Sequence, residues 1–277
     1  MNSRVLIVLL SVLLASCASN KNKDDLAEQE YYQQAHKLIE SNNFISAVEK
    51  LRQLESRYPF GRYAEQAQLE MMYAYFMMAD HDNVLATTER FIRLHPLHEQ
   101  VDYAYYLRAV STYEMAFPFV ERFSNDQVER DPIPLKDAFN YFAELLVRFP
   151  DSPYIADARA RMVYIKERLA AHEISAIHYL MKRHSYMAAA NRATGVLLNF
   201  QHTGSVAEAL AMQVEAYRAL KMDSEANTAL ELLKLNYPNY KQLKDGKFIE
   251  SGLAQTDRRS FWNIISFGLL DNQSSAY

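Results

Sequence analysis

Glycine is scarce, with six residues in a chain of 277, against a usual share of about 7 %. Strands joined by tight glycine turns are therefore disfavoured, and the abundance of Ala, Leu, Glu, Gln, Met and Arg points to helices instead. Cysteine occurs once, as Cys17. No disulfide can form within the chain, and the fold must hold by packing alone. Charge of one sign is not in excess either: the formal net charge is −4 and the pI about 6.1, without the polybasic footprint of a nucleic-acid binder. There is no glycine loop to cradle phosphate and no Gly-x-Ser-x-Gly elbow. His172-Glu173 with His178 has the residue types of a zinc protease, but a helix aims two histidines at one metal from i and i+4, not i and i+6. His95 and His98 flank Pro96, lack a third ligand and read as an exposed pair. Asp24-Asp25 read as solvated acids. The expectation is no metal site, no catalytic residue and no enzyme.

Long apolar runs are also missing. Val5 to Ala15 carries no charge and only Ser11 interrupts it, but a membrane-spanning helix needs about 20 such residues. The run follows Arg4 and ends at Leu14-Ala15-Ser16-Cys17. This is the anatomy of a cleaved signal peptide over residues 1–16, and its last four residues resemble the lipobox of bacterial lipoproteins. That resemblance implies cleavage between Ser16 and Cys17, diacylglycerol on the Cys17 thiol and an N-acyl lipid on its amine, with no other cofactor. The alternative is a buried core cysteine, but the preceding residues fit a cleavage site and nothing amphipathic. Cleavage removes Arg4 and takes the formal charge from −4 to −5. Two or more acyl chains hold a protein stably on a membrane, where one is marginal. Ala18 stands where an inner-membrane retention signal would place Asp, so the periplasmic face of the outer membrane is expected. Residues 17–27 are polar and form a tether; about ten residues at ~3.3 Å each reach ~33 Å.

A chain this long buries one large core or builds an array without a centre. A recurring column favours the array. Ala47, Leu51, Leu54, Tyr58 and Pro59 are matched by Val84, Thr88, Phe91, His95, Pro96, then by Ala138, Phe142, Leu145, Phe149, Pro150. Ala189, Ala193, Val196, Phe200 and Ala226, Leu230, Leu233, Tyr237, Pro238 complete the set, with Gln201 replacing one proline. Spacings of 4, 3 and 4 place these side chains on one helical stripe, and proline ends the helix because it has no N–H. Partner helices precede each stripe through Ala35, Met72, Ile177 and Val214. Turns fall at Asn42-Asn43, Asp80-His81-Asp82, Arg183-His184-Ser185 and Met222-Asp223-Ser224. The pattern resembles the tetratricopeptide repeat. It predicts an all-α tetratricopeptide-repeat solenoid of five helical hairpins over 28–240, at about 28–61, 65–98, 100–151, 154–201 and 205–239. The third repeat carries an inserted loop over 117–133, and a long helix is expected from Tyr154 to Arg183.

Stacked hairpins present the first helix of each pair along one wall. Tyr32, Gln33, His36, Glu70, Tyr73, Met77, Asp102, Tyr103 and Tyr106 are expected on it. Tyrosine suits a binding wall, offering a broad apolar face and a hydroxyl at low entropic cost, and extended peptide is the natural ligand. For any one of these tyrosines the alternative is packing between repeats.

Arg57-Tyr58-Pro59-Phe60-Gly61, the run Arg90 to Leu94 before Pro96, Asp102-Tyr103 with Tyr106 and Arg108, Arg130-Asp131-Pro132, and Arg168-Leu169-Ala170 with Glu173 resemble the BamD family. Its members are lipoprotein subunits of the β-barrel assembly machinery of Gram-negative outer membranes, and the likeness covers residues 14 to 240. It implies a non-enzymatic subunit that docks on the periplasmic domains of the barrel-forming BamA, sits beside other lipoproteins of that complex, and receives unfolded outer-membrane proteins by their C-terminal segments. It also implies a client pocket in the first two repeats near Tyr58, Pro59 and Tyr73, and contact with BamA through the fourth and fifth. Asn191-Arg192 matches the family there, which implies Arg192 as an ion-pair partner for an acidic BamA residue; a solvated helix charge is the alternative.

Residues 241–277 run past the last repeat with Phe261-Trp262, Ile264-Ile265, Phe267 and Leu269-Leu270. They read as a cap on the fifth repeat or a partner contact, with membrane contact as a third option. Another function also fits an anchored repeat array: a scaffold that regulates peptidoglycan synthesis or hydrolysis. A wall hydrolase would need a catalytic domain that is missing here.

Overall fold

The computed structural model describes residues 26–116 and 131–254. The signal peptide, Cys17, most of the inserted loop and the apolar end of the chain lie outside these residues. Ten helices are present among them: α1 (Glu28–Glu40), α2 (Phe44–Arg57), α3 (Ala64–Met77), α4 (His81–Leu94), α5 (Val101–Ala116), α6 (Ile133–Arg148), α7 (Ile155–Lys182), α8 (Tyr186–Asn199), α9 (Ser205–Ala219) and α10 (Asp223–Asn236). The all-α expectation holds. The helices form two compact units, residues up to Ser111 and residues from Thr112.

In the first unit α1 packs on α2, α2 on α3 and α3 on α4. The repeat column is what these helices bury: Ala47, Leu51 and Leu54 on α2, and Val84, Thr88 and Phe91 on α4, are all sealed from solvent. A small side chain at the head of the stripe lets the neighbouring backbone come close, and each buried Leu or Phe contributes about 1.5–3 kcal/mol. Helix α3 is buried on most sides, from Ala64 to Tyr75, because neighbours cover it front and back.

The hairpin turns show how the chain dispenses with glycine. Asn42, Ala79, His184 and Lys221 each take a left-handed backbone, with φ of 59°, 54°, 58° and 59°. They stand at one position in four hairpins. A non-glycine residue there carries roughly 1–2 kcal/mol of strain, which the packing of two helices outweighs. After two of these turns an aspartate or asparagine caps the next helix: Asn43 accepts from Ser46 N and Asp80 from Asn83 N, both at 3.3 Å. Two turns begin one residue ahead of the sequence expectation, at Ala79 and Lys221, because the αL residue ends the first helix before the second begins.

The second unit holds Ala138, Phe142, Leu145, Ala189, Ala193, Val196, Ala226 and Leu233 in its interior. Helix α7 is continuous over 28 residues and packs against both α6 and α8. Helix α9 is buried from Val206 to Ala216. Beyond α10 the chain turns back and forms a two-stranded antiparallel ribbon, β1 (Leu243–Lys244) with β2 (Lys247–Phe248). Asp245 and Gly246 both have positive φ, 50° and 74°, the type I′ geometry that an Asp-Gly pair favours. The helix-only reading missed this ribbon, although Asp245-Gly246 signals it.

Candidate functional site

The first unit brings several of the expected wall residues into one cluster. Tyr32 on α1 donates its hydroxyl to Glu70 Oε1 at 2.6 Å, and His36 Nδ1 lies 3.0 Å from the same oxygen. One helical turn separates the two α1 residues, so both reach the α3 carboxylate. Tyr32 also stacks on His36 and on Tyr63, with centroids 5.9 and 4.7 Å apart and planes inclined by 22° and 16°. The result is a ladder of three rings beside a carboxylate. Burial first, then the bond to Glu70 and its charge, push the Tyr32 phenol well above the usual tyrosine range. Glu70 is 9 % exposed, and its second oxygen has no hydrogen-bond partner. Further along the α3 stripe, Tyr73 and Met77 are exposed, with Phe44 edge-on to Tyr73 at 6.0 Å. Gln33 is exposed on α1. Asp102, Tyr103 and Tyr106, on α5, are half-buried and already engaged in contacts.

The turn after α2 borders this face. Tyr58 is half-buried and donates to Leu26 O at 3.0 Å, while Pro59 is exposed. Glu28 Oε1 accepts from Tyr63 N at 2.6 Å, so the start of α1 is tied to the turn that leads into α3. Gly61 is required by that bond, since a Cβ there would overlap the Glu28 carboxylate. Sequence reasoning missed both Tyr63 and Glu28. The available signal was the small residue at 61, which marks a close approach.

His95 and His98 are not an exposed pair. Both are mostly buried, pack on Phe91 with centroids 5.0 and 5.2 Å away, and hold Glu65 at 3.1 and 3.5 Å. Among the described residues no group of three or more His, Cys, Asp or Glu is arranged to hold a metal. No described helix is long and apolar enough to cross a membrane.

The second unit carries the other expected site. Asn191 and Arg192 are exposed near the start of α8. Arg192 Nη1 donates to Glu173 Oε2 on α7 at 2.8 Å, and its side chain remains 41 % exposed. The charge is therefore held within the chain and still open to solvent. Glu215 on α9, which sequence reasoning did not single out, is 1 % exposed. Its Oε1 accepts from Gln242 Nε2 at 2.7 Å and Ser251 N at 2.6 Å, and its Oε2 from Ser251 Oγ at 2.7 Å. A carboxylate inside the run Ala209 to Ala216, whose only other polar side chain is Gln213, was its signal. Tyr186 donates to Ala254 O at 3.1 Å, and Arg218 lies over the Phe248 ring, so residues 241–254 are strapped onto the last hairpins. Lower on α9, His178 and Lys241 lie 3.0 and 3.8 Å from Glu208 Oε1. The bond from His178, opposed by burial, brings the Glu208 carboxyl below its ordinary value.

Comparison with known proteins gives a consistent result. A family model described as YfiO, outer membrane lipoprotein, matches residues 24–242. The chain is 39 % identical over 246 residues to the outer membrane protein assembly factor BamD of Neisseria gonorrhoeae, covering 86 % of this chain and 92 % of that protein. It is 36 % identical over 231 residues to the protein of that name from Vibrio cholerae, covering 83 % and 96 %. The counterpart from Xylella fastidiosa is 33 % identical over 248 residues, covering 87 % and 85 %.

Proposed function

The chain belongs to the BamD family of outer-membrane protein assembly factors, and from that premise we propose that it is the lipid-anchored periplasmic subunit which receives unfolded outer-membrane proteins and passes them to BamA. It serves outer-membrane protein assembly and is not an enzyme. Cys17 carries the lipid that holds it on the periplasmic face. The reading invokes no cofactor beyond that lipid and no nucleic acid.

One observation supports the client site above the others: the Tyr63–Tyr32–His36 ladder held on the Glu70 carboxylate. An extended strand presents side chains on alternate sides and N–H groups between them. The ring faces and exposed Tyr73 suit its aromatic side chains. Tyr58, Pro59 and Gln33 rim the same face, and Tyr106 extends it along the array.

Arg192 supports the docking assignment. A surface pair such as Arg192–Glu173 is worth about 0–1 kcal/mol, so exchanging Glu173 for an acidic BamA residue costs little. Once that new pair is desolvated in the interface, truncating Arg192 costs about 2–5 kcal/mol. Asn191 beside it adds an exposed amide, and the other lipoproteins of the complex join the same assembly.

The test is affinity isolation of the full-length protein from detergent-solubilised outer membranes. We expect recovery of a barrel protein with periplasmic repeats, and its loss with Arg192→Glu. Recovery of wall synthases alone would replace this reading with the peptidoglycan scaffold.

A further inference from the structure

We propose that the edge of the first unit formed by its two Pro-X turns is a membrane-contacting surface, which seats Phe60 and Leu97 in the headgroup region of the lipid bilayer that holds the anchor. Phe60 is 100 % exposed and Leu97 is 95 % exposed. They occupy one repeat position: Pro59-Phe60 follows α2, and Pro96-Leu97 follows α4. Both side chains stand on short turns that the fold holds firmly. The first is closed by Gly61 N to Tyr58 O at 3.0 Å and tied to α1 through Glu28. The second is held by His95 and His98 on Glu65, which sits in the first turn of α3 just past the first turn's end. Glu65 thus couples the two apolar tips.

The occupant follows from where the chain enters and from the charge around the tips. The Tyr58 hydroxyl grips the carbonyl of Leu26, so the tether leaves the fold beside Phe60. About ten residues connect this point to Cys17, a reach of ~33 Å. The tips therefore share their end of the unit with the point where the tether begins. Arg57, Arg62 and Arg93 are exposed near them in the chain, against the exposed acids Glu65 and Glu99, so the basic groups lead by one charge, and basic groups beside apolar side chains suit a surface of anionic phosphates. Long arginine stems lie along apolar surface while their heads reach the headgroups.

The inference rests on the lipid anchor proposed above, and its test separates the two. The full-length lipidated protein, with Trp262→Phe, is given a single tryptophan by Phe60→Trp, Leu97→Trp or, as a control in the last hairpin, Leu235→Trp. Each is reconstituted on vesicles of phosphatidylethanolamine and phosphatidylglycerol, with or without brominated acyl chains. We expect blue-shifted emission and bromine quenching at positions 60 and 97 but not 235, weakening with added salt or when phosphatidylglycerol is omitted. Water-like, unquenched emission at 60 and 97 on vesicles that still carry the protein overturns the edge contact and leaves the anchor standing. Failure of the lipidated protein to float with vesicles overturns both.

Discussion

Single side chains decide how the ends of this molecule are held. Glu28 reaches Tyr63 N only because residue 61 has no Cβ. In Gly61→Ala the carboxylate must swing out, and a half-exposed, charge-assisted bond of on the order of 1 kcal/mol is lost. We expect the urea midpoint of the first unit to fall accordingly, with helix content unchanged by circular dichroism. Glu208 makes a pH-dependent contribution. Its carboxyl is held low chiefly by His178, so its stabilisation is present above the ordinary carboxylate value and is lost as pH falls through the lowered one. Stability measured across the acid range should therefore fall less steeply in Glu208→Gln than in the unsubstituted protein. An identical acid limb in the two would mean that this ion cluster carries no linkage.

Helices and turns were legible in different degrees. The stripes were plain because 4-3-4 spacing admits one helical face, and the residues it selects on α2, α4, α6 and α8 are the ones with no exposed surface. The Tyr-rich first helices were ambiguous, since a tyrosine at a wall and one between helices look alike in sequence. The structure divides them: Tyr31, Tyr75 and Tyr105 are buried, Tyr73 is exposed, and Tyr32 spends its hydroxyl on Glu70. Pairings across 35 or more positions, such as Tyr32 with Glu70 or Glu215 with Ser251, have no local signature. The hairpin turns make a prediction of their own. Ala79 adopts φ of 54° in the turn between α3 and α4, where glycine would be unstrained. After the entropic cost of glycine in the unfolded chain, Ala79→Gly should stabilise by up to about 1 kcal/mol, visible as a raised Tm.

At the scale of the molecule, the two units are finished differently. The first unit presents its ring ladder and the exposed Tyr73, whereas the second is covered by residues 241–254 of its own chain. Residues 241–254 satisfy Glu215 completely through Gln242 and Ser251. Removing that acceptor by Glu215→Ala takes away the carboxylate that ties Gln242 and Ser251 to α9, at about 1–3 kcal/mol. Hydrogen exchange should then quicken across 241–254 and α9 while the protection of α1 to α4 stays as it was. Loss of protection in both units together would contradict this division of labour. The proposed function places the client on the first unit. A photoreactive residue replacing Gln33 or Tyr73, with Leu235 replaced as the control, tests that assignment most directly when cells making an outer-membrane barrel are irradiated. The account predicts crosslinks from positions 33 and 73 to the C-terminal segment of the unfolded barrel protein and none from 235; crosslinks from 235 alone, or from none of the three, would contradict it.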